Sequence, residues 1–302
     1  MLDLTPYTPG RAVLLNAQRA RDGLSEVTRQ ISSGAKHADL SGYAGDGNLQ
    51  TILSLQSSIK EANGYIRSNA NASAKLDVVD QSLDNLEGVA KELASLATNR
   101  LNGASGEDMP VEQVADGFLS RIQNALNVTY NGSFLFGGSK NDRPPVENIN
   151  YTSIVGGKPT ANYYNGDNFV ATVRSSANQE VAYGVKADEQ PFQTLIGAVH
   201  QLIEGHQAND PEKLNAALDL ANDAVSQLST KRAVVRQNAD QLQTINVTQE
   251  DVALTLQANF TDLHDTDIVE ASTRLSDMEA LVQASYSAWA TLSKLRLSNY
   301  LR

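Results

Sequence analysis

Residues 76–97 have the sequence LDVVDQSLDNLEGVAKELASLA, in which apolar side chains recur in alternating steps of three and four. This spacing places them on one face of an α-helix and predicts a helix that packs on a partner. The pattern extends back to Ile52, and no proline lies between residues 10 and 109. If residues 49–101 form one helix, it is about 80 Å long at about 1.5 Å per residue. The positions on this face are Ile52, Leu55, Ile59, Ala62, Ile66, Leu76, Val79, Leu83, Leu86, Ala90, Leu93 and Ala97.

The positions of the prolines divide the chain into three parts. Six of the eight fall between residues 110 and 211, and none follows Pro211. The proline-free stretches on either side predict two long helical arms around an interrupted middle. The second arm begins at Asp210-Pro211, a helix cap followed by a first-turn proline, and runs to about residue 258. A shorter helix is predicted from Val111 to Thr129.

Both ends of the chain carry heptad patterns. Thr8-Pro9 caps the first helix, and Asp267 with Glu270 forms a capping box before the last one. A second apolar flank on the last helix predicts more than one helical partner. The seam lies either within one chain or between chains, and in the second case the protein polymerises. The seam positions are Val13, Ala17, Ala20, Leu24, Val27 and Ile31, then Ile268, Ala271, Leu275, Met278, Val282, Ser285, Trp289 and Leu292, and the flank is Leu281, Ala284, Ala288 and Leu295.

The middle of the chain is rich in strand-forming residues. Strands are predicted at 151–155, 161–164, 169–173 and 181–185, with Asn165-Gly166 as a hairpin turn. We therefore predict a mainly α fold: a long antiparallel helical rod with terminal coiled-coil helices and a small β-rich inserted outer domain. The predicted domains are 1–44 with 264–302 for the terminal coiled-coil segments, 45–140 with 191–263 for the helical rod, and 141–190 for the outer domain.

The bulk composition excludes several classes of function. The net charge of -11 argues against binding to nucleic acid or to anionic membranes, because both need a basic surface. The chain has no cysteine, which excludes disulfides, thiol catalysis and cysteine-ligated metals. The sequence has no secretory signal and no apolar run long enough for membrane insertion. If the protein leaves the cell, we expect a route that does not use such signals.

Residues 131–146, NGSFLFGGSKNDRPPV, resemble a phosphate-binding loop at first sight. That loop needs a lysine directly after its second glycine, and here Gly138 occupies the position. We interpret the segment as a joint between the helical part and the β-rich part. Asn131-Gly132 ends a helix, a short apolar strand follows at 134–136, and Pro144-Pro145 forces an extended exit. The predicted joint residues are Gly137, Gly138, Pro144 and Pro145.

No other pattern indicates catalysis or a cofactor. His200 and Glu204 share a helix face near His206, but a metal site needs three or four converging ligands. The acidic run at 262–267 lacks the glycine and the terminal glutamate of a calcium loop. No catalytic or dinucleotide motif is present. We therefore predict no catalytic, cofactor-binding or metal residues, and no enzyme.

Several segments resemble the bacterial flagellin family, most closely its hook–filament junction branch, that of flagellar hook-associated protein 3. RQISSGAKHADLSGY (29–43) resembles the family's link between its first terminal helix and the long rod helix. The segment at 131–146 is similar to the junction branch's transition from its helical rod to its outer β domain, and YYNGDNFVATVRSSANQEVAYGV (163–185) resembles that outer β domain itself. DTDIVEASTRLSDMEALVQASYSAWATLSKLRLSNYL (265–301) resembles the shared terminal helix. HADLSGYAGDG (37–47) departs from the segment that filament flagellins carry there, which favours the junction branch.

The resemblance implies an extracellular structural subunit of the flagellum, exported through the flagellar type III channel without a cleaved signal. Implied partners are other copies of the chain, hook-associated protein 1, flagellin, and an export chaperone on the C-terminal helix. Two alternatives stay open: the filament flagellin itself, or a soluble coiled-coil signalling protein.

Overall fold

The computed structural model describes residues 9–103, 110–147, 149, 154–155, 158–159 and 163–300, with side chains from residue 11 to residue 291 apart from 154–155 and 158–159. The fold is mainly α with a small β part, as predicted. The chain forms two compact units, and α3 and α6 contribute to both. Unit 1 comprises Met1–Lys60 with Ala253–Arg302, and unit 2 comprises Glu61–Val252. The helices are α1 (Pro9–Ser33), α2 (Leu40–Gly45), α3 (Leu49–Leu101), α4 (Val111–Leu126), α5 (Gln190–Gln207), α6 (Pro211–His264) and α7 (Ile268–Tyr300).

In unit 1, α1 and α7 pack against each other. The cap predicted before α7 is present: the backbone N–H groups of Val269 and Glu270 donate to the Asp267 carboxylate at 2.9 and 3.2 Å. Thr8, predicted to cap α1, lies outside the described residues. Pro9 is the first residue of α1, where its missing N–H costs no hydrogen bond.

Unit 2 holds the main hydrophobic core, built from α3, α4, α5 and α6 with residues of the β-rich segment. α3 and α6 are antiparallel and are also joined by ion pairs. Asp80 pairs with Arg236. Glu87, which lies further along α3, pairs with Arg232, which lies earlier on α6. The largest fully buried side chains of this core include Leu83, Leu86, Leu93, Ile122, Phe136, Phe192, Leu195 and Leu202. α3 has the predicted bounds, α4 ends three residues early and α6 runs six residues past the predicted end. No bounds were predicted for α5, which begins one residue before the segment 191–263 assigned to the helical rod, and its Pro191 lies in the first turn.

The β part consists, within the described residues, of three short antiparallel hairpins. They pair β1 (Thr129–Tyr130) with β2 (Ser133–Phe134), β3 (Ile154–Val155) with β4 (Lys158–Pro159), and β5 (Thr172–Ser176) with β6 (Gln179–Ala182). β5 and β6 lie close to the strands predicted at 169–173 and 181–185. β3 covers the end of the strand predicted at 151–155, whose first three residues lie outside the described part. Residues 161–162 also lie outside it, and Tyr164 makes only an isolated bridge to Val146.

Two turn predictions were wrong. Asn165-Gly166 is not a hairpin turn but a loop, in which the Asn165 N–H donates to the Pro145 carbonyl at 2.9 Å. Asn131-Gly132 does not end a helix, because α4 ends at Leu126, and it is the turn between β1 and β2. Its φ angles of +50° and +77° are the pair that a two-residue type I′ hairpin turn requires. The apolar strand predicted at 134–136 extends no further than Phe134.

Candidate assembly surface

The predicted seam residues of α1 and α7 lie largely on the faces that these helices turn to each other. Ala17, Ala20 and Val27 on α1 are buried, as are Ala271 and Ser285 on α7. Half-buried positions continue the same stripes: Val13, Leu24, Ile31, Leu275, Met278 and Val282. Both heptad registers therefore match the pairing within one chain. The assignment of these residues to contacts between subunits stays a prediction.

Two seam positions do not join this pairing, and a third lies outside the described side chains. Ile268 is 57% exposed and Trp289 is 36% exposed. Leu292 belongs to α7, but its side chain lies outside the described residues. Ile268 is the first residue of α7. A helical side chain leans over the turn that precedes it, and the first residue of a helix has no such turn to pack along. The heptad pattern predicted one apolar stripe, whereas the pairing of α1 with α7 covers only its central part.

The buried side chains in the pairing of α1 with α7 are small. The five buried seam side chains are three alanines, one valine and one serine. Burying an apolar side chain contributes about 25 cal/mol for each Å² removed from water, and alanine has little area to bury. Ordering the backbone costs about 1–2 kcal/mol per residue. This contact alone leaves α1 and α7 weakly held.

Large apolar side chains remain exposed on both helices. Of these exposed side chains, Leu281 was predicted on the second flank, and Ile268 and Trp289 were predicted in the seam. Leu14, Leu15, Val269 and Tyr286 were not predicted. The double leucine beside Val13 was the available signal, since two adjacent leucines cannot both face one partner. We call the following set the terminal flank: Leu14, Leu15, Ile268, Val269, Leu281, Tyr286 and Trp289. Leu281, Tyr286 and Trp289 lie near one another in sequence on α7, and an exposed apolar patch can mark an interaction site.

The second predicted site, the joint at residues 131–146, contains a close backbone approach. Gly138 has φ +70°, and a Cβ atom there would collide with the Asp167 carboxylate. That carboxylate accepts the backbone N–H groups of Ser139 at 2.9 Å and Phe169 at 3.0 Å, and also the Ser139 hydroxyl. The Ser139 hydroxyl, and then the two backbone N–H groups, hold the pKa of Asp167 below its ordinary value.

The other joint residues adjoin this contact. A Cβ atom at Gly137 would collide with the Lys140 carbonyl and would lie 3.6 Å from Pro145. Pro145 is buried and Pro144 is half-buried. After them, Val146 exchanges two hydrogen bonds of 3.0 and 2.8 Å with the Asn127 side chain. The segment is therefore fixed to the end of α4, and its role as a joint between domains stays a prediction.

Three of the histidines each contact a charged side chain. His200 lies 3.4 Å from Glu204, His206 accepts a hydrogen bond from Arg100, and His264 lies 2.6 Å from Asp265. In the part of the chain that the structure describes, no three histidine and acidic side chains are placed to hold a metal ion. None of the described helices is long and apolar enough to span a membrane.

No protein-family profile matches the sequence, and no curated protein is significantly similar to it. Solved structures are similar in fold. A Vibrio parahaemolyticus protein assigned as a flagellar hook-associated protein superposes with a TM-score of 0.56 at 16% identity, over 71% of this chain and 96% of that one. FlgL from Bacillus cereus superposes with a TM-score of 0.55 at 14% identity, over 70% and 99%. This chain has their fold. Flagellar hook-associated protein 3 from Legionella pneumophila gives a TM-score of 0.44 at 12% identity, over 71% and 97%.

Proposed function

We propose that this chain is a structural axial subunit of the bacterial flagellum, in the branch of hook-associated protein 3, and that it joins a hook-side adaptor to the filament. One observation carries the proposal: α1 and α7 pair through a few small side chains and leave the terminal flank exposed. The fold shared with two proteins assigned to the flagellar hook region supplies the setting. The role is structural, without catalysis or a cofactor.

Assembly would complete the packing that one chain leaves unfinished. Copies that place their terminal flanks against neighbouring α1 and α7 helices bury Leu14, Leu281, Tyr286 and Trp289, and each added helix offsets more of the ordering cost. The charge distribution favours this part of the chain for close packing. Residues 61–252 carry 24 Asp and Glu against 14 Lys and Arg, whereas the rest of the chain carries 11 against 10. A nearly neutral segment meets little electrostatic repulsion when copies approach.

The proposal extends to domains, partners and location. The terminal segments 1–44 and 264–302 form the polymer core, residues 45–140 with 191–263 the helical rod, and 141–190 the outer domain. The partners are further copies, hook-associated protein 1 and flagellin, with an export chaperone on the C-terminal helix before assembly. The location is the extracellular flagellum, reached by type III export. The sequence resemblance at residues 29–43 and 265–301 supports these assignments.

Paired substitutions on α7 test the assembly surface. Leu281→Asp with Tyr286→Asp places charge on two exposed side chains of the terminal flank, and Ser272→Asp with Ser276→Asp places the same charge on exposed positions outside the flank. We expect the flank variant to stay soluble in sedimentation at concentrations where the control and the wild type form assemblies visible by electron microscopy. Deletion of 268–302 should have the same effect as the flank variant. Equal assembly by both variants would refute the surface.

Removal of the gene separates the junction role from its alternatives. Electron microscopy should find hooks without filaments, and flagellin should accumulate in the medium. A filament subunit would instead dominate sheared extracellular fibres, and its removal would leave no flagellin to shed. A soluble signalling coiled coil would be a folded cytoplasmic dimer whose removal leaves flagella intact. Either of these results would overturn the junction proposal.

A further inference from the structure

The turn that follows α1 and the turn that precedes α7 are bonded directly to each other. We call residues 34–48 and 264–267 together the turn junction. Ala35 and Asp265 form an antiparallel β-bridge. Two backbone hydrogen bonds flank it, from the Lys36 N–H to the His264 carbonyl at 2.9 Å and from the Thr266 N–H to the Gly34 carbonyl at 2.8 Å. The helices leave this bridge immediately, since α1 ends at Ser33 and α7 begins at Ile268.

Tyr43 of α2 occupies the centre of the turn junction and is 3% exposed. Its hydroxyl donates to the His264 carbonyl at 3.1 Å. Its ring stacks on His264, with centroids 5.5 Å apart and 14° between planes, and meets His37 edge-on at 4.7 Å. His264 in turn stacks on Phe260 at 4.7 Å. One side chain thus contacts residues from both turns, through its ring and through its hydroxyl.

The residues around Tyr43 permit this placement. A Cβ atom at Gly42 would stand 2.5 Å from the His37 ring, so any larger residue would displace that ring. Arg29 and Gln30, in the last turns of α1, both donate to the Lys36 carbonyl at 2.9 Å. The Lys36 ammonium donates to the Asp262 carbonyl, near the end of α6, at 2.6 Å. The turn junction is therefore tied to the ends of the helices that it connects.

Two contacts in unit 1 hold α1 beside α7, and they differ in kind. The seam between the helices buries five small side chains, whereas the turn junction combines a buried tyrosine, a ring stack and backbone hydrogen bonds. A tether close to a weak interface raises the effective concentration of its two sides, so the interface forms without gaining any contact of its own. The turn junction lies at the end where α1 stops and α7 starts.

We propose that the turn junction, with Tyr43 as its positioning residue, is the conformational device that sets the pairing and register of α1 with α7. When the turn junction opens, the two helices separate although neither seam has changed. The inference concerns a single chain and does not depend on the flagellar role.

The absence of cysteine gives a direct test in the dilute monomer. A Cβ atom at position 23 lies 3.9 Å from the Met278 Cγ, so Gly23→Cys with Met278→Cys places two thiols within reach of a disulfide. In this background we compare Tyr43→Ala with Leu40→Ala, a truncation of an exposed side chain on the same short helix. Under mild oxidation, followed by mass spectrometry, Tyr43→Ala should form the disulfide at least about tenfold more slowly than Leu40→Ala. Equal rates would overturn the proposal.

Tyr43→Phe keeps the test decisive if Tyr43→Ala unfolds unit 1. It removes only the hydrogen bond to the His264 carbonyl and retains the ring. Circular dichroism should show unchanged helicity for Tyr43→Phe. A rate of disulfide formation between that of the double-cysteine parent and that of the urea-unfolded chain supports the proposal, and a rate equal to the parent's refutes it. The assembly variants at Leu281 and Tyr286 separate the two proposals. If these block assembly while Tyr43 variants cross-link normally, the turn junction idea fails and the assembly surface stands.

Discussion

Met278 on α7 lies against Gly23 on α1, and a Cβ atom added at position 23 would stand 3.2 Å from the methionine Sδ. The thioether is flexible and half-buried, so it can yield by a few tenths of an ångström. Alanine favours a helix over glycine by about 0.5–1 kcal/mol. We therefore expect Gly23→Ala to stabilise α1 by an amount of this order, measured as greater amide-proton protection in α1. Gly23→Leu, whose longer side chain must push α7 away, should lower that protection. Lower protection in the alanine variant would contradict the description of this contact.

Alanine substitutions at two glycines distinguish the stability cost of a steric clash from that of backbone strain. Gly132 and Gly138 both have φ in the left-handed region, at +77° and +70°. A Cβ atom at Gly132 meets nothing within 4 Å, whereas one at Gly138 meets Asp167. Gly132→Ala should cost about 1 kcal/mol from backbone strain alone. Gly138→Ala should cost at least about 1 kcal/mol more, measured as the urea-unfolding midpoint, because the Asp167 hydrogen bonds must also rearrange. Equal costs would mean that the Asp167 contact contributes nothing.

The ion pairs between α3 and α6 predict a loss of stability in acid. Burial acts to raise the pKa of Asp80, but hydrogen bonds from Arg236 and Arg232 outweigh it, so the pKa is lowered. Hydrogen bonds from Lys91 and Arg232 lower the pKa of Glu87. A carboxylate whose pKa is lower in the folded state stabilises the fold above its unfolded-state pKa, near 4, and loses that contribution as the pH falls through the folded-state value. The free energy of unfolding should therefore fall below about pH 4.

Asp80→Asn identifies the groups responsible. The variant should be less stable than the wild type near neutral pH, and the difference should shrink below about pH 4, where the wild-type carboxylate also becomes neutral. Asp219→Asn removes one charge from an exposed position on α6 and serves as the control, with a small effect at any pH. Urea titrations at pH 7, 5 and 3 give the comparison. A deficit for Asp80→Asn that is constant across these values would exclude the carboxylate as its source.

Periodicity and helix caps were enough to predict the long helices. Side chains from Leu76 to Ala97 repeat on one face over many turns, and α3 has the predicted bounds because no competing signal interrupts that pattern. Asp267 fixed the start of α7 because a cap is a local hydrogen bond that depends only on neighbouring residues. Within the segment 191–263 predicted for the helical rod, no bounds were predicted for a helix before Asp210. Proline ends a helix in its interior but is accepted in its first turn, so Pro191 alone did not indicate where α5 begins.

The candidate site was predictable only in part. The heptad at Ala17, Ala20 and Val27 predicted which face of α1 is buried, because the helical period determines which side chains share a face. The same period could not place Tyr43 or Asp167, since their positions depend on contacts with residues distant in sequence, His264 and Gly138. The hairpin at Asn131-Gly132 could be distinguished from the loop at Asn165-Gly166 only by φ angles, which the dipeptide alone does not determine.

Trp289 offers an optical test of assembly because it is the single tryptophan of the chain. It is 36% exposed and belongs to the terminal flank. If copies pack through this flank, the indole leaves water, and its emission should shift to shorter wavelength as assemblies form, with reduced quenching by acrylamide. The Leu281→Asp, Tyr286→Asp variant should keep the spectrum of its own monomer at the same concentration, and the Ser272→Asp, Ser276→Asp control should shift with the wild type. If assemblies form while the Trp289 spectrum stays unchanged, this side chain lies outside the contact between copies, and another face of α7 must form that contact.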